Sequence, residues 1–171
     1  MSSGVDAIES IAEGRYQDID GLPPRLELSA VAERYSVTSD ARGAAFLGTR
    51  RAEFVAITVP GLERPITVWL DGNRVILFDA RYPPVGGDLE GVIRGLGTPE
   101  LRLDAMLSGL VLPEGQLVWL RRGVVLHVNP DNAQLLRAGV FEPTTAESYQ
   151  ERLLLDLRLT PFPRSSDPHP P

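Results

Sequence analysis

Ile66-Thr67-Val68-Trp69-Leu70-Asp71-Gly72-Asn73-Arg74-Val75-Ile76-Leu77-Phe78 decides the fold class. Two runs rich in β-branched and aromatic residues flank Asp71-Gly72-Asn73, which supplies the positive φ angles of a tight turn. The stretch therefore predicts an antiparallel hairpin of Ile66 to Leu70 and Val75 to Phe78. In a strand, side chains alternate between faces. Ile66, Val68 and Leu70 form a wholly apolar row and are the expected core face. Trp69 falls on the opposite face, beside Thr67 and Asp71.

Working outward, Glu53 to Val59 predicts another strand, with Val55, Ile57 and Val59 on one side and Pro60-Gly61 turning the chain. From Ala44 the character of the sequence changes. Before it, Leu28, Val31, Ala32 and Tyr35 have the i, i+3, i+4, i+7 spacing of an amphipathic helix that starts after Pro23-Pro24. Val5, Ile8 and Ala12 suggest a shorter helix at the N-terminus. Beyond the hairpin, Tyr82 to Gly87 reads as a linker, and Asp88 caps a helix carrying Leu89, Val92, Ile93 and Leu96. Gly97-Thr98-Pro99 stops that helix. Leu101 to Leu112 is ambiguous. Strands follow at Leu117 to Leu120, Val124 to Val128 and Leu135 to Phe141. Thr144-Thr145 with Glu147 or Ser148 marks a helix start. Leu153 to Leu159 carries both helical and strand signals, and the proline-rich 161–171 reads as a disordered tail.

Two internal matches suggest a duplicated unit. Ile66-Thr67-Val68-Trp69-Leu70 and Gln116-Leu117-Val118-Trp119-Leu120 lie fifty positions apart and superpose the chain's two tryptophans. The two helix patterns lie sixty-one positions apart, so an insertion near Thr38 to Gly48 would reconcile the offsets. The expectation is an α+β protein: tandem helix–antiparallel β-meander units forming one curved sheet with helices on one face. The first unit, with the N-terminal helix, spans residues 1–85. The second, with a C-terminal helix or strand, spans 86–160.

The second unit runs helix, then Leu96-Gly97-Thr98-Pro99, then Val118-Trp119-Leu120, Arg122-Gly123-Val124-Val125-Leu126, Leu135 to Phe141 and Pro143. This pattern resembles the helix–β-meander repeat of the β-lactamase inhibitor proteins and of small outer-membrane-assembly lipoproteins. The resemblance covers Asp88 to Pro143 and implies a non-enzymatic, protein-binding sheet. The chain departs from that family in having no cysteine and no export signal at its start.

Composition narrows the chemistry. Without cysteine there is no disulfide scaffold, thiolate metal site or cysteine nucleophile. A net charge of −6 opposes nucleic acid or anionic lipid as the main partner, and no apolar run reaches bilayer-spanning length. A cytoplasmic location is therefore expected. All 17 basic residues are arginine, as in G+C-rich bacterial genomes. His169 lies in the tail, and His127 reads as a sheet residue. No nucleophile–base pair, metal-ligand spacing or phosphate loop is evident, so no cofactor, metal or catalytic group is expected. Trp69 with Thr67 and Asp71, and Trp119 with Arg121, have the makeup of binding hot spots on an open sheet face. The function expected is a non-catalytic module binding another protein, of the immunity-protein, inhibitor or assembly-adaptor kind. Two alternatives stand beside it: a small-molecule binder or hydrolase-like enzyme with a pocket near His127, and a structural subunit of an oligomer.

Overall fold

The computed structural model describes residues 24–60, 62–83, 89–107, 110–129, 132 and 134–154. The expected N-terminal helix, most of the linker and the proline-rich tail lie outside them. The order is α1 (Leu28–Arg34), β1 (Ser36–Leu47), β2 (Arg50–Thr58), β3 (Ile66–Asp71), β4 (Arg74–Arg81), α2 (Leu89–Leu96), β5 (Leu101–Leu107), β6 (Leu110–Trp119), β7 (Val124–Asn129), β8 (Gln134–Phe141) and α3 (Ala146–Arg152). The chain is an α+β protein, and its described residues build one antiparallel sheet of eight strands, ordered β1-β2-β3-β4-β8-β7-β6-β5. Each half is a meander. The first runs inward from the β1 edge and the second inward from the β5 edge, so that β4 and β8 meet at the centre. No helix of the described residues is long and apolar enough to cross a membrane.

The opening hairpin forms as its turn chemistry requires. Asp71 pairs with Arg74, and Gly72 takes φ +62° between them. The sequence showed no strand at β1 or at β5, and of β6 it showed only the end, Leu117 to Leu120. Both edge strands have poor apolar alternation; among the described residues they are held by a partner strand on one side only. At the other end, Thr145 rather than Thr144 caps α3, its hydroxyl accepting the Ser148 N–H at 3.2 Å.

Alternation along the strands separates two buried clusters. On one side, Ile66, Val68, Leu70, Phe78, Leu126 and Val140 pack with Val31 and Tyr35 from α1 and its end, and with Val92 and Leu96 of α2. On the other, Leu47, Leu77, Val118, Val125 and Phe141 pack beneath Tyr149 and Leu153 at α3. The expectation of helices on one face is thus corrected, because α3 lies against the opposite face from α1 and α2. A second correction concerns the tryptophans. Trp69 belongs to the α3-side cluster and Trp119 to the other, so the fifty-residue match superposes residues that face opposite ways. The sixty-one-residue helix match instead joins two helices that share one core.

The last described segment is tied to the far edge of the sheet. Gly48 N–H donates to Leu154 O and Thr49 N–H to Glu151 O, each at 2.8 Å. Gly48 has φ +60°, and a Cβ there would meet Glu151 O at 2.1 Å, so both conformation and space demand glycine.

Candidate functional site

The residues expected to form an open binding face are dispersed. Trp69 is 1% exposed and packs on Phe54, the ring centroids 5.1 Å apart. Trp119 is 2% exposed, and its indole N–H donates to Gly97 O at 2.9 Å, at the end of α2. The face of the first lies under α3 and that of the second near α2, which is why neither ring is free. Thr67 is half-buried in β3 opposite Asp79. Arg121 stands in the β6–β7 turn, its side chain 91% exposed and 3.7 Å from Glu100. Of the five residues, Asp71 borders a concave surface.

That surface is a groove of about 190 Å³ between the β3–β4 hairpin and the segment joining β8 to α3. Val75, Ile76, Pro143 and Leu153 line it with Thr144 and Ser148, together with the members of two ion pairs. Arg152 reaches Asp71 at 2.8 Å and Arg74 reaches Glu142 at 3.0 Å, all four half-exposed. Each pair ties the hairpin to the β8–α3 segment. The sequence pointed to Asp71 but not to Arg74, Glu142 or Arg152, which come from three separate segments.

A second polar constellation is buried under α3. Cross-strand pairing sets Gln116 of β6 opposite His127 of β7, and His127 opposite Arg137 of β8. Arg137 Nη2 lies 3.1 Å from Asp79 Oδ2 on β4, in an ion pair whose carboxylate is 1% exposed. Burial pushes the Asp79 carboxyl above the usual carboxylate range; Arg137 first, then His127 and Arg81, pull it back. Above this row, the Tyr149 hydroxyl donates to Gln116 Oε1 at 2.9 Å. Burial, with the nearby Asp79 charge, holds the phenol far above its ordinary range, so it stays protonated and a donor. Gly139 faces Asp79 across the β4–β8 pair, where a Cβ would come within 2.7 Å of Val125 Cγ1.

His127 thus has a carboxylate with a raised pKa for company, as the pocket alternative required. The row is nonetheless closed: His127 and Asp79 are each 1% exposed, and Tyr149 above them is fully buried. A signal for this row existed in the sequence. Asp79 interrupts the apolar run from Val75 to Ala80 on the face it shares with Leu77. Among the described residues no three His, Asp or Glu side chains converge as metal ligands. No protein-family model matches the chain, and neither a curated protein nor a solved structure shows significant similarity to it.

Proposed function

We propose that the chain is a non-catalytic protein-binding module that receives an apolar side chain of a partner protein in the groove beside Asp71. The observation that carries this reading is the groove's construction, a mixed wall of aliphatic side chains and the Thr144 and Ser148 hydroxyls bordered by two ion pairs of opposite polarity. Its size favours a protein over a metabolite. Sites that enclose drug-sized molecules span roughly 300–1,000 Å³, against about 190 Å³ here. Binding surfaces with an apolar centre and a polar rim take one or two anchoring side chains, and the rest of the contact excludes water. Arg74 and Arg152 together with Asp71 and Glu142 offer a partner both signs of charge, which favours one orientation over others.

In this reading the frame consists of two related helix–meander units. The sixty-one-residue spacing of α1 and α2, their shared core cluster and the matched order of strands about the β4–β8 pair all support it. A role as an inhibitor, immunity protein or adaptor in the cytoplasm accords with the acidic, cysteine-free composition.

The test is a photo-crosslinking amino acid placed at Ser148, on the groove wall, in the organism that makes the protein. A single protein crosslinked at Ser148 but not at Arg121, and lost in Arg74→Glu/Arg152→Glu, supports the proposal. Crosslinks to many proteins, unaffected by the charge reversals, or none at all, refute it.

A further inference from the structure

We propose that Leu155 to Leu159 pairs antiparallel with the outer edge of β1 as a ninth strand, a strap that closes this edge of the sheet and holds α3 across it. Gly48 N–H donates to Leu154 O and Thr49 N–H to Glu151 O, so the end of α3 already lies against the turn that follows β1. A chain running on from Leu154 past Gly48 meets Leu47 and then Phe46, in the sense opposite to β1. An edge with open N–H and C=O groups is a template for another strand unless charge, proline or a bulge protects it. The pairing of β1 with β2 is irregular between Thr38 and Gly43, but from Gly43 to Leu47 the strand is regular and carries neither charge nor proline.

The Gly48–Leu154 bond fixes the register. In antiparallel pairing it sets Leu155 opposite Leu47, Asp156 opposite Phe46, Leu157 opposite Ala45, Arg158 opposite Ala44 and Leu159 opposite Gly43. The backbone of β1 has the parity this needs. Leu47 and Arg50 are the pair that flanks a two-residue turn and turn their polar groups to each other, so those of Phe46 and Ala44 point outward. Pro161, which cannot donate to a ladder, ends the segment.

The same register suits the side chains on both faces. Leu47, Ala45 and Phe54 belong to the α3-side cluster, where Ala45 and Phe54 are only partly buried. The Phe54 ring lies over Gly43, 2.6 Å from where a Cβ would stand. Leu155, Leu157 and Leu159 fall on this face and complete the flank of the cluster. On the other face Arg51 stands opposite Phe46, and Glu53, which takes Arg42 at 3.1 Å, stands opposite Ala44. Asp156 joins the row that holds Arg51, and Arg158 joins the row that holds Glu53, with only the small Ala44 between them. A slip of one residue would turn the three leucines onto this charged face. The N-terminal residues enter the described chain at β4, three strands in from the edge, where Leu26 O accepts the Val75 N–H. A second copy would have to compete with a segment tethered beside the edge, whose effective concentration is of millimolar order. The strap stands or falls apart from the groove.

Hydrogen exchange of the full chain, resolved to single amides, tests the strap. The Ala44 and Phe46 N–H groups should be protected in the wild type. They should exchange at least tenfold faster in Asp156→Pro/Arg158→Pro, which removes the two donors that face β1. An unchanged near-ultraviolet circular-dichroism spectrum confirms that the eight-stranded core of the variant folds. The chain has no cysteine, so introduced thiols report the register. Ala44→Cys/Arg158→Cys sets the thiols on opposed residues with Cα atoms about 5.5 Å apart, which suits a disulfide, whereas Ala44→Cys/Asp156→Cys sets them on a diagonal of about 7–8 Å. The first pair should close within the chain at least ten times faster than the second. Unprotected Ala44 and Phe46 amides in the wild type overturn the proposal, and so do equal disulfide rates. Protection that survives the prolines also overturns it, whether dilution abolishes that protection, as for a second copy, or leaves it, as for residues 1–23.

Discussion

Replacing Tyr149 by phenylalanine isolates a hydrogen bond that joins α3 to the buried polar row. The ring is fully buried and lies 5.1 Å, centroid to centroid, from Phe141, so Tyr149→Phe leaves the packing in place and deletes only the donor to Gln116 Oε1. A buried acceptor that loses its partner costs about 1–2 kcal/mol. For a chain of this size that corresponds to a fall of roughly 2–8 °C in melting temperature. Gln116→Leu removes the other end and leaves the phenol buried without its acceptor, a similar loss. The double variant leaves neither group stranded, so its loss should fall about 1 kcal/mol short of the sum of the single losses. Urea unfolding of the four proteins measures the cycle. Strictly additive losses would refute the coupling, and a Tyr149→Phe loss below about 0.3 kcal/mol would refute the bond's contribution.

The same residue sets an alkaline limit. The unfolded chain releases the phenolic proton near pH 10, whereas the buried phenol retains it. Above pH 10 the folded state therefore binds more protons, and stability falls by up to about 1.4 kcal/mol per pH unit from this group. Below pH 10 its contribution is fully present. The chain has no lysine to obscure that range, so the wild type should lose stability between pH 10 and 11 more steeply than Tyr149→Phe.

Arg137→Met strands the Asp79 carboxylate and should destabilise the fold by about 3–5 kcal/mol at pH 7, while Asp79→Asn/Arg137→Met recovers most of the loss. Because burial raises the Asp79 pKa, the folded state holds this proton where the unfolded chain has released it. The Arg137→Met deficit should therefore shrink as pH falls from the raised value towards about 4, as thermal melts at stepped pH would show. The tryptophans should also differ. Trp69 Nε1 is buried with no hydrogen-bond partner among the described residues, whereas Trp119 Nε1 donates to Gly97 O. Trp119→Phe should cost about 1–2 kcal/mol more than Trp69→Phe in chemical denaturation; equal losses would contradict this accounting.

Local chemistry determined much of the architecture. Asp71-Gly72-Asn73 specified the β3–β4 turn, the i, i+3, i+4, i+7 rows specified α1 and α2, and Thr144-Thr145 with Glu147 or Ser148 marked the start of α3, because each rests on contacts within a few residues. The alternation in Ile66 to Leu70 also sorted its side chains correctly: Val68 and Trp69 do lie on opposite faces. Whether the second face meets water is decided by what the chain lays across it. No periodicity within β3 could show that α3, more than seventy residues later, would cover Trp69. Nor could the similarity of Val68-Trp69-Leu70 to Val118-Trp119-Leu120 show which way each strand would turn. The groove and the buried Asp79–Arg137–His127–Gln116 row are likewise products of the β4–β8 junction. Pairing across that junction joins residues nearly sixty positions apart, and burial of the row acts on its charges only once the helix closes over them.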